Sequence, residues 1–291
     1  MAVIIVNYRS SHLIAPLIQS IRKHTRGSRY QIIVVDNNSR DKDLVSVLGR
    51  NVRLIKLKEN RGFAAGNNAG IKAVKARYYC LINPDVVLLN DAITILKNNL
   101  KGEYGITGPA IYTAEKRQVY PYYRFGDALY EISRLARLER LYQWNYKKHY
   151  RSDRFEADWV TGAFFMVKQD VIQEIGLMDE AYFLYSEETD YCWQARKKGW
   201  RVLLNQGARV IHLEESSTAR ISGFRLYYQY RSKLRFIRRY YGLFQYSLLK
   251  LFYSLDIIIK MLVRLVFQPV HKEKFIKFYF LLLKEMVKNE I

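Results

Sequence analysis

Over the first 110 residues, short continuous apolar runs alternate with segments of helical period. AVIIVNY, QIIVVDNNS, NVRLIKLKEN, RYYCLINPD and GITGPAIY read as strands, and LIAPLIQSIRKH, GFAAGNNAGIKAVKA and DAITILKNNL read as helices. The rhythm predicts an α/β fold with a mostly parallel sheet and helices on both faces. The strands are apolar throughout rather than alternating, as expected when both faces are covered. Residues 113–157 break the pattern with YPYYRFGDALY and LYQWNYKKHYRSD. That stretch reads either as a partly helical excursion over the functional face or as a basic, aromatic surface helix docked elsewhere. Order returns with DWVTGAFFMV as a strand, VIQEIGLMDEAY as a short helix and turn, SEETDYCWQARKKGW as a helix and RVLLNQGARVIHL as a strand.

From about Phe224 the pattern is that of long helices, which predicts a main domain over 1–223 and a helical region over 224–291. LFQYSLLKLFYSLDIIIKMLVRLVF is interrupted by Lys250, Asp256, Lys260 and Arg264. No charge-free stretch reaches the roughly 18 residues that a spanning helix needs. At about 100° per residue the four charges fall within about a third of the helix circumference. The rest is Leu, Ile, Phe, Val and Tyr, an in-plane amphipathic pattern. Residues 273–291 repeat it with Lys274, Lys277, Lys284 and Lys288. Two readings follow, a helix lying on a membrane surface and a helical hairpin packed on protein.

Charge sharpens the choice. The chain carries 48 basic and 27 acidic residues, a net charge of +21. From Arg225 to Ile291 there are 14 basic and 4 acidic residues. Basic and strongly apolar together point to an anionic membrane surface. Nucleic acid is the other anionic partner to weigh, because 24 tyrosines could stack on bases. It leaves Asp36, Asp85, Glu187, Glu188 and Asp190 unexplained, since carboxylates at a binding edge repel phosphate. Cys80 and Cys192 have no metal spacing and make no disulfide scaffold, which fits a reducing compartment. MAVIIVNY is too short for a signal peptide and has no basic n-region.

Four polar clusters each follow an apolar strand: Asn7-Tyr8, Asp36-Asn37-Asn38-Ser39, Asn60-Arg61-Gly62 and Asn83-Pro84-Asp85. In open α/β sheets ligands bind at the carboxyl ends of strands, so the four predict one shared site. Pro84 cannot join a sheet ladder, so Asp85 is expected in a turn. The first strand is not followed by G-x-G-x-x-G, and there is no G-x-x-x-x-G-K-[ST]. Gly62, Gly66 and Gly70 share one helix face and allow close backbone approach, with Asn60 at or near the cap. That face suits tight packing on the sheet and, at its amino end, a polar or anionic ligand. In SEETD, Ser186 is expected to cap a helix whose first turn holds Glu187, Glu188 and Asp190.

VIIVNYRS, VVDNNSRD, ENRGFAAGNNAGI, INPDVVL, WVTGAFFMV, MDEAYFLYSEETDYCWQARKKGW and VIHLEESST occur in this order. Together, over about residues 2–240, they resemble the inverting nucleotide-sugar glycosyltransferases of family 2, which have the GT-A fold. Among these they are most similar to the rhamnosyltransferase-like enzymes of bacterial surface polysaccharide synthesis, such as that of O-antigen. The resemblance implies that Asn7, Tyr8, Asp36, Asn38, Asn60, Gly62, Asn67 and Asn83 hold the nucleotide-sugar donor. It implies that Asp85, the one acidic position kept where the family has Asp-x-Asp, contacts Mg²⁺ or Mn²⁺, with His212 completing the site. Glu188 matches the general base beside Glu187, where the family usually has Glu-Asp or Asp-Asp. Trp159, Thr161 and Gly162 match the segment beneath donor sugar and acceptor, supported by Asp190 and Arg196. The implied donor is dTDP-rhamnose, or a UDP-hexose or UDP-N-acetylhexosamine. The implied acceptor is a glycan or lipid-linked glycan, at the cytoplasmic face of the cell membrane.

Overall fold

The six residues that follow Met1 are all buried and form the strand β1 (Ala2–Asn7). In a computed structural model, which describes residues 1–121, 123–213, 222–267 and 279–284, β1 pairs in parallel with β2 (Gln31–Asp36) and with β4 (Tyr78–Ile82). β2 pairs in parallel with β3 (Val52–Lys56). These four strands make the block that the amino-terminal pattern predicts. The connections are α1 (Ser11–His24), the short α2 (Leu44–Leu48) and α3 (Gly62–Lys72).

Beyond β4 the sheet becomes mixed. After β5 (Val86–Leu88) and α4 (Ala92–Asn99) come β6 (Tyr104–Tyr112), β7 (Arg154–Ala157), β8 (Phe164–Lys168) and β9 (Arg201–His212), with α6 (Arg140–Tyr146) before β7 and α7 (Gln169–Ile175) after β8. The strand order is β3-β2-β1-β4-β8-β6-β9-β5, with β7 on β9. β6 and β9 are parallel, whereas β8 runs antiparallel to both β4 and β6, and β5 and β7 run antiparallel to β9. Two apolar layers cover the sheet. One packs Ile14, Leu17 and Ile21 of α1 and Ile93 and Leu96 of α4 on Val3, Ile5 and Met166. The other packs Ala64 and Ile71 of α3 and Cys192 and Ala195 of α8 (Glu187–Lys197) on Ile4, Ile33 and Phe165.

DWVTGAFFMV starts its strand later than expected, at Phe164, and leaves Trp159, Thr161 and Gly162 in the preceding turn. The chain divides into two compact units. One holds Met1–Phe125 and Tyr146–Arg220, the other Gly126–Asn145 and Ile221–Ile291. Residues 126–145, inside the stretch expected to accompany the main domain, therefore group with the carboxy-terminal helices. Within that second unit, α5 (Ala128–Leu135) turns Glu131 inward, where it pairs with Arg134 and with Lys233 of α9 (Ser222–Phe267) at 3.1 Å each. That pairing spans about a hundred positions, which local periodicity cannot show. α9 is two helices joined at Gly242, whose φ of 86° breaks the helical path. Residues 279–284 are helical. Lys274, Lys277 and Lys288 of the expected second amphipathic stretch lie outside the described residues.

Candidate active site

Parallel pairing puts the carboxyl ends of β1, β2 and β4 on one edge, and the polar clusters meet there. Asn7 and Asp36 are register partners at the ends of β1 and β2. The buried Asn7 amide donates to Ser39 Oγ at 3.1 Å and to Asp41 Oδ2 at 3.2 Å, while its Oδ1 accepts from Ser10 N at 3.3 Å. Asp36 Oδ1 accepts from Ser39 N at 3.0 Å. Asn38 follows in a left-handed conformation (φ 57°), and Arg9 lies over the Tyr8 ring, 5.2 Å from its centre.

Asn37 ties this turn to the start of α3. Its amide donates to Asn60 Oδ1 and to Gly62 O at 2.9 Å each, and its Oδ1 accepts from Arg61 N at 3.1 Å. Asn60 Oδ1 also accepts from Gly62 N at 3.0 Å, so it caps from two positions ahead. Gly62 has φ of 88°, and a Cβ there would stand 2.2 Å from Phe183 O. Gly66 and Gly70 face Val6 and Ile4 of β1, where an added Cβ would stand 2.7 and 2.5 Å from side-chain carbons. The glycine stripe thus serves sheet packing along its length and site geometry at its amino end. Asn67, expected at the donor pocket, donates to Phe63 O of its own helix at 3.0 Å. Its neighbour Asn68, which the sequence did not single out, bonds Met178 O at 2.8 Å and Glu180 Oε1 at 3.1 Å. It anchors the segment leading into α8 against α3.

Because β8 is antiparallel to β4, the turn before it lies at the same edge. Asn83 N donates to Ala163 O at 2.8 Å, which joins the end of β4 to the Thr161-Gly162 turn. Gly162 lies beside Glu188: a Cβ on it would be in ordinary van der Waals contact, 3.6 Å, with the Glu188 carboxyl. Trp159 Nε1 donates to Arg124 O at 3.0 Å, and the indole meets Tyr123 edge-on. Asp158, absent from the sequence-based set, takes Phe125 N at 2.9 Å and pairs with Arg196 at 3.6 Å. Arg196 also reaches Glu156 and Ala157 O at 3.1 Å each, so it braces α8 against β7 and this turn.

α8 begins differently from expectation. Ser186 stands at the cap position, but its side chain makes no capping bond. Tyr185 and Ser186 are both left-handed (φ 69° and 64°), costly for residues with a Cβ by about 1–3 kcal/mol each. That turn sets the direction in which the two glutamates emerge. Glu187 is buried, and its Oε2 has no hydrogen-bond partner among the described residues. Burial, reinforced by the Glu188 carboxylate beside it, holds the Glu187 carboxyl well above the usual range. Asp190, fully buried, accepts from Tyr182 Oη at 3.2 Å and Gln194 Nε2 at 2.5 Å.

Asp85 sits in the turn between β4 and β5. It is 1% exposed, and neither carboxyl oxygen has a hydrogen-bond partner among the described residues. His212, at the end of β9, is brought across because β5 and β9 pair Val86 with His212. Its Nε2 lies 3.3 Å from Asp85 Oδ1, not aligned for a hydrogen bond. A buried carboxylate without a donor is unfavourable unless a cation balances it. An acceptor-only carboxylate and an imidazole nitrogen fit a divalent cation. No described group of three or more His, Cys, Asp or Glu surrounds one. Such a site suits a metal that completes its shell with water and substrate phosphate.

A model of "Glycosyl transferase family 2" matches residues 2–176. Over 240 residues the chain is 25% identical to the low-salt glycan biosynthesis hexosyltransferase Agl10 of Haloferax volcanii, covering 80% of this chain and 74% of that one. Over 210 residues it is 26% identical to the N-acetylglucosaminyl-diphospho-decaprenol L-rhamnosyltransferase of Mycobacterium tuberculosis, covering 65% and 68%. The mannosyltransferase PcManGT of Pyrobaculum calidifontis, solved with GDP-Man and Mn²⁺, superposes with a TM-score of 0.59 at 12% identity over 98% of this chain and 83% of that one. GalNAc-T7, solved with UDP, GalNAc and Mn²⁺, superposes at 0.56 and 13% identity over 74% of this chain and 44% of that one. The fold is GT-A.

Proposed function

The chain belongs to glycosyl transferase family 2, and from that premise we propose that it moves a sugar, with inversion, from a nucleotide diphosphate to a hydroxyl of a lipid-linked or polysaccharide acceptor. L-Rhamnose from dTDP-rhamnose is the donor we assign, in line with similarity to named rhamnosyltransferases. A UDP-hexose or UDP-N-acetylhexosamine is the second reading, favoured by similarity to a hexosyltransferase. The chain works at the cytoplasmic face of the cell membrane, held to its anionic surface through the basic carboxy-terminal region, 224–291.

Asn7, Asp36 and Asn38 at the ends of β1 and β2 and Asn60 ahead of α3 hold the nucleotide, and Tyr8 flanks it. Gly62 and Asn83 keep the backbone close to the diphosphate. Trp159, Thr161 and Gly162 form the floor under the sugar. Glu188 takes the proton of the acceptor hydroxyl as its oxygen bonds to the anomeric carbon and the bond to diphosphate breaks. Asp85 and His212 would hold Mg²⁺ or Mn²⁺, which offsets the negative charge that grows on the departing diphosphate. Asp190 and Arg196 position α8, and Glu187 gives Glu188 a low-polarity neighbour.

The observation that carries this reading is Asp85: a buried carboxylate with no hydrogen-bond donor among the described residues, at the sheet edge, beside an imidazole. The test is a melting panel with Mg²⁺ or Mn²⁺ and dTDP-rhamnose, UDP-glucose, UDP-galactose, UDP-N-acetylglucosamine or GDP-mannose. A ligand that binds only the native state stabilises it by about 2.7 kcal/mol at one hundred times its dissociation constant. A metal-dependent shift with one pyrimidine donor is expected. Asp85→Asn should melt no lower than the native chain without metal and should lose that shift. A full shift in Asp85→Asn overturns the assignment of Asp85.

A further inference from the structure

The second half of α9 turns its charges inward. After the break at Gly242, Lys250, Asp256 and Lys260 lie on one side of the helix; Asp256 and Lys260 meet Tyr230 of the first half of α9, and Lys250 lies over the Tyr246 ring. Lys260 Nζ donates to Asp256 Oδ2 at 2.6 Å and to Tyr230 Oη at 3.0 Å, and Tyr230 stacks on Tyr253 with ring centres 3.9 Å apart. The opposite side is apolar and open. Leu251, Leu255, Ile259 and Leu262 are 56%, 44%, 59% and 52% exposed. A water-soluble hairpin does the reverse, hiding its apolar stripe and solvating its charges.

Two further observations say what covers this face. All the large exposed hydrophobic side chains among the described residues except Val45, Val119 and Tyr120 belong to the helical unit. Trp144, in the same unit, is 82% exposed. The unit is also basic: between residues 222 and 255 there are six Arg or Lys before Gly242, one after it, and no Asp or Glu. Apolar side chains flanked by cations match the boundary between acyl chains and anionic headgroups. The polar seam is paired within the hairpin, so insertion leaves it undisturbed. No helix among the described residues is long and apolar enough to cross a membrane, so the arrangement is in-plane.

We infer that the apolar face of α9 between Leu243 and Val263 lies flat in an anionic lipid surface. This rests on the membrane placement proposed above and identifies the surface that makes it. The face runs for about 30 Å along the helix, at 1.5 Å per residue.

The test is flotation of the full chain with vesicles containing phosphatidylglycerol, beside the double variant Leu255→Asp/Ile259→Asp. Both side chains are exposed, so the variant should match the native melting temperature. The native chain is expected to float and the variant to lose at least about tenfold in vesicle affinity, given the apolar area removed from the lipid. Equal flotation of both refutes this face and leaves the membrane placement standing. No flotation of the native chain refutes both, while the donor panel still tests sugar transfer separately. As a second measurement, Ile259→Cys carries an environment-sensitive dye, selectively because Cys80 and Cys192 are buried. A blue shift on adding vesicles supports the inference. A shift that instead follows protein concentration without lipid overturns it, because the face then joins two copies of the chain.

Discussion

Two adjacent glutamates at the start of α8 meet different surroundings, and that contrast supports the different roles we propose for them. Glu187 is enclosed, with one oxygen lacking any partner among the described residues, whereas Glu188 is half-buried beside Gly162. We expect Glu188→Gln to lower the transfer rate by about 10²- to 10⁴-fold, the usual contribution of a general base. Glu187→Gln, a neutral isostere of a protonated acid, should keep most of the rate in the same assay. The raised Glu187 pKa has a stability consequence as well. Its stabilising contribution is complete below the unfolded value near 4.5 and is lost as pH rises toward the folded value. Relative to the native chain, Glu187→Gln should therefore gain melting temperature as pH is raised above 4.5 toward the folded value. A constant difference across that range would mean that Glu187 ionises as freely in the fold as outside it.

Among the elements, α3 carries the tightest constraint. Gly70 is pressed against Ile4 in the centre of the sheet, where a Cβ would stand 2.5 Å from Cγ2. Overpacking of this kind costs about 1–3 kcal/mol. Gly70→Ala should thus lower the midpoint of urea unfolding while leaving donor affinity in the folded fraction nearly intact. Gly62→Ala meets backbone instead, at a positive φ, and should lose both stability and donor affinity. If the two variants behave alike in a donor-binding titration, the amino end of α3 has no special part in the site. The mixed half of the sheet follows the same logic of position. Reversing β8 is what returns the Trp159–Gly162 turn to the edge where β4 ends.

For the molecule as a whole, charge and apolar surface are partitioned unevenly. The carboxylates of the site lie in the α/β unit, and the exposed apolar side chains are concentrated in the helical unit. Attraction of Lys and Arg to anionic lipid falls off within a Debye length, about 10 Å at 0.1 M salt and 3 Å at 1 M. Vesicle binding is therefore expected to weaken as salt is raised and to be weaker on zwitterionic vesicles at every salt concentration. Binding equally tight to both vesicle types would assign the association to the apolar face alone.

By itself the sequence determined β1 to β4 and β6 with α1, α3 and α4, because buried parallel strands are apolar without interruption and their ends must be polar, but it showed neither the short α2 nor β5. It likewise determined that Asp85 sits in a turn, since Pro84 ends the strand. Asn7 and Asp36 were legible as candidates for the same reason, each being the first polar residue after an apolar run, whereas Asn60 was legible as a cap just ahead of Gly62. Asn68 and Asp158 were not, because their partners lie far along the chain, and Asn37 was named with its cluster but not as the bridge to Asn60, Arg61 and Gly62. The family resemblance implied His212 with Asp85, but only the tertiary structure shows what brings them together, the antiparallel register of β5 and β9. The tertiary structure alone separated Glu187 from Glu188, since burial depends on what packs around a helix start and not on the residue type. It also decided the direction of α9. A helical wheel places the charges on one side, but only packing against Tyr230 turns that side inward and leaves the apolar side open.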